Sequence, residues 1–298
     1  MSTMPALILA AIVAATGIDP YDRSRTADGK HCLWWSAGSV VYSQSELGNP
    51  NGATPFDAVT ASWQSWQAIQ SGCGNLTLSE GPRLPGPIPG RIVGYDQGSN
   101  DNYNVVMFRQ RLCSIAAPPG DPCFSNQNCN NQYDCWGNAS GTIGLTTTTY
   151  RVSTGEILDA DIEFNAATFH FTTLQSGCAC GSGHTGCNAT DIQNTATHEF
   201  GHSLGLDHTN YCDGGVCSVM NPNSCAGEIS KRTIDPWSSA FVCDVYPKGR
   251  ASLDCISSAA SSVSASKTGC TSAPGPFAWP LLALLVLGLR ARRSSELH

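Results

Sequence analysis

One stretch constrains this chain more than any other: His198-Glu199-Phe200-Gly201-His202-Ser203-Leu204-Gly205-Leu206-Asp207-His208. It reads HExxHxxGxxH, and Met220 follows it. In a helix, residues i and i+4 share a face, so His198 and His202 can present two imidazoles to one metal ion. Glu199 sits one step round from His198 and can reach a water beside that ion. A straight helix cannot wrap a tetrahedral ion, so a third ligand must come from chain that turns. Gly205 supplies the turn, because only glycine takes a left-handed conformation without steric penalty and it commonly ends helices. His208 then returns three residues later. Three neutral histidines and one water make an open, catalytic-type zinc site rather than a closed structural one. The competing reading is a helix with unrelated histidines, and it needs three of the chain's seven histidines to fall at these offsets by accident.

The surrounding composition sets the compartment. Fifteen cysteines point to oxidising surroundings. Cys178, Cys180 and Cys187 lie near His184, but one histidine among them makes disulfides a better reading than a second zinc site. Fourteen cysteines lie at or before Cys255, enough for seven bridges, and Cys270 stands alone in the tail. A Cys212–Cys217 bridge would brace the segment between His208 and Met220. The 298 residues are 41% hydrophobic and 13% charged, which allows one domain of about 200 residues with tails. A net charge of -7 argues against nucleic acid as a partner.

Both ends carry targeting features. Residues 1–17 read as a secretory signal peptide built on the apolar run Ala6 to Ala15. Near the other end, Phe277 to Leu289 is apolar and is followed by Arg290, Arg292 and Arg293. That run is short for a spanning helix, which needs about 20 residues. The basic cluster behind it suits a cytoplasmic stop. Residues 251–276 are rich in Ser and Ala and read as a flexible stalk.

Between the ends, residues 18–37 form a polar lead-in with Cys32 and Trp34-Trp35. Ser39 to Ser43 has strand composition. Thr54 to Ile69 predicts an amphipathic helix, with Thr54 as cap, Pro55 in the first position, and Phe56, Val59, Trp63 and Trp66 as its buried face. Residues 81–100 read as loop and Asn104 to Arg109 as strand. About 112–141 is a disulfide-stapled surface insertion. Thr142 to Arg151 and Ile157 to Phe164 form two strands joined by a turn at Ser153-Thr154-Gly155. Asp159, Asp161 and Glu163 alternate on one face of the second strand. They read either as a solvated face or, with loop oxygens, as a calcium site at Asp159 and Asp161. The zinc helix is expected over about 190–205.

HEFGHSLGLDH with the downstream Ser218-Val219-Met220-Asn221-Pro222 resembles the metzincin clan of zinc endopeptidases. Thr209 after the third histidine, Asp191-Ile192-Gln193, the run Gly155 to Asn165, Arg232 to Asp235 and Tyr246-Pro247 place the likeness in its matrixin-like branch. That resemblance implies an α+β fold: a mixed twisted sheet with an antiparallel edge strand, two long helices including the zinc helix, and a small irregular C-terminal subdomain. It implies a catalytic domain over 18–250 with zinc on His198, His202 and His208, Glu199 as general base and acid, and Met220 as an apolar floor beneath the imidazoles. The segment from His208 to Met220 is longer than matrixins usually have.

A protein or peptide substrate is expected extended along the edge strand at about 143–150, and the loop Asn221 to Lys231 is expected to wall the pocket for the residue after the cut. Matrixins often carry structural calcium. The sequence holds no PRCGxPD-like segment; Cys32 could cap the metal in principle, but a disulfide is its better reading. Cys270, the apolar run and the Arg cluster at 277–293 resemble the MYXO-CTERM sorting tail of myxobacterial surface proteins. That implies export, transient membrane contact through the C-terminal tail, and handling by sorting and processing machinery. The expected protein is a monomeric, secreted or surface-retained zinc endopeptidase. The alternative is a non-catalytic, disulfide-rich adhesion protein on the same fold.

Overall fold

Runs of Val, Ile and Thr build the sheet that carries the site. The structure, a computed structural model, describes residues 21–36, 38–48, 55–85, 93–98, 102–178, 187–255 and 288–293. In chain order the elements are β1 (Ser39–Gln44), α1 (Pro55–Cys73), β2 (Thr77–Glu80), β3 (Asn104–Phe108), α2 (Cys113–Ala116), α3 (Cys123–Asn126), α4 (Cys129–Tyr133), β4 (Gly144–Tyr150) and β5 (Ile157–Phe164). There follow β6 (Phe171–Thr172), β7 (Thr190–Asp191), α5 (Ile192–Ser203), β8 (Cys212–Asp213), β9 (Val216–Cys217), α6 (Pro236–Val245) and β10 (Gly288–Arg293). The sheet runs β4-β5-β3-β1-β2. All its pairings are parallel except β4 against β5, which places Gly144 opposite Phe164 and Thr146 opposite Ile162. This is the mixed sheet with an antiparallel edge strand that the sequence predicts.

The outer edge of β4 carries one further strand. β10 pairs with it in parallel, with Leu289 opposite Thr146. The arginines at 290, 292 and 293 lie in this strand. The expected signal peptide, the linker from 256 on and the apolar run up to 287 lie outside the described residues. Among the described residues no helix is long and apolar enough to cross a membrane.

Helix α1 starts at Pro55, as expected, but its buried face is rotated from the predicted one. Ala58, Val59, Ser62, Trp66 and Gln70 are buried, whereas Phe56 and Trp63 are only half-buried. The reason is polar. Ser62 Oγ donates to the Gln193 carbonyl at 3.1 Å and Trp66 Nε1 to the Thr197 carbonyl at 3.0 Å, so α1 is turned to serve α5. Phe56 instead lies under the Arg83 guanidinium. Cys73–Cys243 then ties α1 to α6.

The 112–141 insertion is better ordered than its composition suggests. It holds α2, α3 and α4, closed by Cys113–Cys135 and Cys123–Cys129 around a small core of its own. Arg109 pins it to the sheet. This buried guanidinium donates to Glu163 Oε1 at 2.6 Å and to Asp134 Oδ1 at 2.8 Å. The same packing buries the β5 carboxylates, so the expected solvated face is not found: Asp159 is 2% exposed, Asp161 0% and Glu163 1%. Asp161 accepts the backbone N–H groups of Gly94 and Val105. Burial raises the Asp159 carboxyl to about 6, and it shares a hydrogen bond with Asp161.

Removing one partner of a buried ion pair strands the other charge. Arg109→Met is therefore expected to cost about 3–5 kcal/mol of stability in urea unfolding. A loss below about 1 kcal/mol would show that Glu163 does not depend on Arg109.

Candidate metal centre

Helix α5 is fixed at both ends before it presents a ligand. Asp191 caps it by accepting from the Asn194 N–H at 2.8 Å, and Arg232 Nε donates to the same carboxylate oxygen. Leftover carbonyls at a helix end need donors. Here Trp35 Nε1 serves Ser203 at 2.8 Å and the Tyr246 hydroxyl serves Leu204 at 2.6 Å. Gly205 then takes φ +99°, and a Cβ there would lie 2.5 Å from the Leu33 carbonyl oxygen. Glycine is thus required twice, for the left-handed turn and for the close approach of the lead-in.

The turn brings the three histidines together. His198, His202 and His208 Nε2 lie 3.1–3.2 Å from one another. A tetrahedron with metal–nitrogen bonds of about 2.0–2.1 Å has edges of about 3.3 Å, so the three atoms fit a zinc ion. The tautomers fit as well. His198 Nδ1 meets the Val219 carbonyl at 2.6 Å and His202 Nδ1 the Leu206 carbonyl at 2.9 Å. A carbonyl only accepts, so both protons sit on Nδ1 and both Nε2 lone pairs face the centre. Burial first, and the neighbouring imidazoles second, hold His198 well below the ordinary imidazole value and His202 at about 3. Burial lowers His208 too. All three stay neutral near pH 7, as metal ligands must.

Glu199 is fully buried beside this cluster, under β4. The Thr146 hydroxyl donates to its Oε2 at 2.6 Å, while Oε1 has no hydrogen-bond partner. A Cβ on Gly144 would lie 2.6 Å from Oε1. Burial lifts the Glu199 carboxyl to about 8, against the lowering effect of Thr146.

Met220 is buried. A Cβ on Gly201 would come within 2.3 Å of its sulfur, so the motif's first glycine admits the methionine. The segment from His208 to Met220 is long. Its surplus forms an exposed hairpin, β8 and β9, turned by Gly214-Gly215 and closed by Cys212–Cys217, the bridge expected from sequence. Below it, the Thr209 N–H reaches the Met220 carbonyl at 3.1 Å. Asp235, which caps α6, also accepts from the Val219 N–H at 2.7 Å and so holds the carbonyl that orients His198. In the sequence Asp235 entered only through the family likeness, although Asp-Pro before an apolar run signals a helix start. Sequence reading missed Thr146 and Gly144 because no local pattern marks them.

Other candidates fall away. Cys32 is bonded to Cys255 and cannot cap a metal, nor can the cluster Cys32, Asp254 and Cys255 offer thiolates. Cys178–Cys187 is a disulfide, and Cys180 and His184 lie outside the described residues. Asp159 and Asp161 join no group of three metal-ligating side chains among the described residues. The loop Asn221 to Lys231 is anchored at its end: Lys231 N donates to Asn194 Oδ1 at 2.8 Å, and its ammonium pairs with Glu228.

The family model described as Matrixin, Peptidase_M10, matches residues 123–234, which include His198, Glu199, His202 and His208. A search of curated proteins found no match to the chain.

Two outcomes follow from the centre. Gly205→Ala, at a positive φ and against the Leu33 carbonyl, is expected to lower both the melting temperature and bound zinc; full zinc content at unchanged stability would contradict the turn's role. The second concerns pH. Each imidazole's folded pKa lies below its unfolded value, so its stabilising contribution is present above about pH 6.5 and drains away as pH falls towards the folded value. Bound zinc after dialysis should accordingly stay constant from about pH 8 to about pH 6 and fall only in stronger acid. Loss of half the zinc between about pH 7 and 6 would mean that the ligands titrate as free histidine.

Proposed function

We propose, from the Matrixin match over residues 123–234, that the chain is a zinc-dependent endopeptidase that cuts peptide bonds of proteins with Glu199 as general base and acid. The coarser statement, a zinc metallopeptidase, follows from the family match and the three-histidine cluster together. The observation that carries the finer one is the placement of a buried, half-unpartnered carboxylate beside three converging imidazoles.

Bound zinc supplies a Lewis acid that acidifies water towards pKa about 7 and polarises the scissile carbonyl. The residues do the rest. His198, His202 and His208 offer neutral nitrogens and leave one side open. Glu199 Oε1, which has no protein partner, takes the proton of the attacking water and passes it to the leaving amine. Substrate would lie extended along β4, antiparallel to it and in place of β10, which pairs with that edge in parallel; strand pairing reads backbone and accepts many sequences. The loop Asn221 to Lys231 walls the pocket for the residue after the cut. Calcium has no part in this reading, because Asp159 and Asp161 join no group of three metal-ligating side chains among the described residues.

The proposal places the protein outside the cytoplasm, secreted or held at the surface by its C-terminal tail. Its support is six disulfides among the described residues, bonds that persist in oxidising compartments.

Casein or gelatin cleavage should stop with a zinc chelator and return with added zinc. Glu199→Gln should keep zinc and fold while kcat falls about 10²–10⁴-fold. A Glu199→Gln protein with full turnover would end the assignment of the base, and a wild type with no chelator-sensitive cleavage would favour the adhesion reading.

A further inference from the structure

The edge strand that faces substrate also touches the base, through a residue outside the zinc motif. Thr146 sits in the middle of β4, and its side chain is fully buried on the face turned to α5. Its hydroxyl donates to Glu199 Oε2 at 2.6 Å and lies 3.1 Å from the Glu199 carbonyl oxygen. Two residues earlier on the same face, Gly144 leaves open the space next to Glu199 Oε1, where a Cβ would come within 2.6 Å. Successive side chains on a strand alternate, so residues i and i+2 share a face. β4 therefore brackets the carboxylate with a donor on one oxygen and, at Gly144, a position without a side chain beside the other.

We propose that Thr146 is a positioning residue: its hydroxyl holds Glu199 Oε2 so that Oε1 alone handles the proton, and the Gly144 gap keeps Oε1 free. The inference rests on the endopeptidase reading. Its physical basis is local. A Glu side chain has three rotatable bonds, and a buried carboxylate with no partner would turn to seek one. One charge-assisted hydrogen bond fixes the rotation of the group. The same residue pairs through its backbone at the substrate edge, opposite Leu289 of β10, so one position sets both the base and the bond to be cut in a common frame. Displacement of a reacting group by about 1 Å can cost about 10²-fold in rate, which is what such a frame prevents.

Thr146→Val keeps the shape and the strand propensity and removes only the donor. It is expected to lower kcat about 10–100-fold with KM and zinc content unchanged, while Thr146→Ser restores kcat to within about threefold of wild type. Gly144→Ala, which keeps the hydroxyl but crowds Oε1, should lower kcat in the same way. The contact itself is read without activity, in a double-mutant cycle on the melting temperature of the metal-free protein. Thr146→Val should cost several degrees in wild type and less than half of that in a Glu199→Ala background.

Retention of kcat by Thr146→Val, an equal loss in Thr146→Ser, unchanged kcat in Gly144→Ala or equal melting losses in the two backgrounds would each overturn the proposal. A wild type without chelator-sensitive cleavage would instead remove the endopeptidase reading, and the melting cycle would still report whether the hydroxyl holds the carboxylate.

Discussion

The hydrogen bond from His198 Nδ1 to the Val219 carbonyl joins the helix that carries two ligands to the turn that carries Met220. It works because the rest of the domain holds both partners still. Val219 is fixed through its own N–H by Asp235, which caps α6. Helix α6 is bonded to α1 through Cys73–Cys243, and the next residue after α6, Tyr246, serves the Leu204 carbonyl at the end of α5. Helix α1 returns to α5 through Trp66 and Ser62. The circuit closes on itself, so the imidazole's orientation is set by three helices at once. Partners that fix a ligand's tautomer and angle matter nearly as much as the ligand.

A chain with so few charges has to bury polar groups and satisfy them. It does this with single, well-placed residues. Arg109 serves the insertion and the sheet together, and Asp161 holds one backbone donor of the loop at Gly94 and one of β3 at Val105. Disulfides add covalent closure. They close the insertion, the β8–β9 hairpin, and the lead-in through Cys32–Cys255. That last bridge keeps Leu33 against Gly205, and so supports the turn that delivers His208.

Strand β4 does two things with two sets of groups. Its outer backbone takes another strand, and its inner side chains meet Glu199. Strand alternation makes the division possible without compromise. The four consecutive threonines at 146–149 are polar for a buried strand, and Thr146 gives one of them a chemical use.

Much of the site was legible in the residues. The motif's spacing alone requires a helix, a break and a return, and the structure shows Ile192–Ser203, a left-handed Gly205 and His208 in those places. The β4–β5 hairpin and the Cys212–Cys217 bridge were legible because alternation and short loops are local signals. Other features needed the folded chain. The buried face of α1 turned away from Phe56 because Trp66 and Ser62 had carbonyls of α5 to meet. The acidic face of β5 was buried by the insertion at Glu163 and by the loop at Gly94 and β3 around Asp161, and the excess of the segment before Met220 folds outward. Thr146 and Asp235 act on residues 53 and 16 positions away. Periodicity and motif spacing determine which groups exist and what each can do; only tertiary packing decides which of them meet, because hydrogen bonds and burial act through space rather than along the chain.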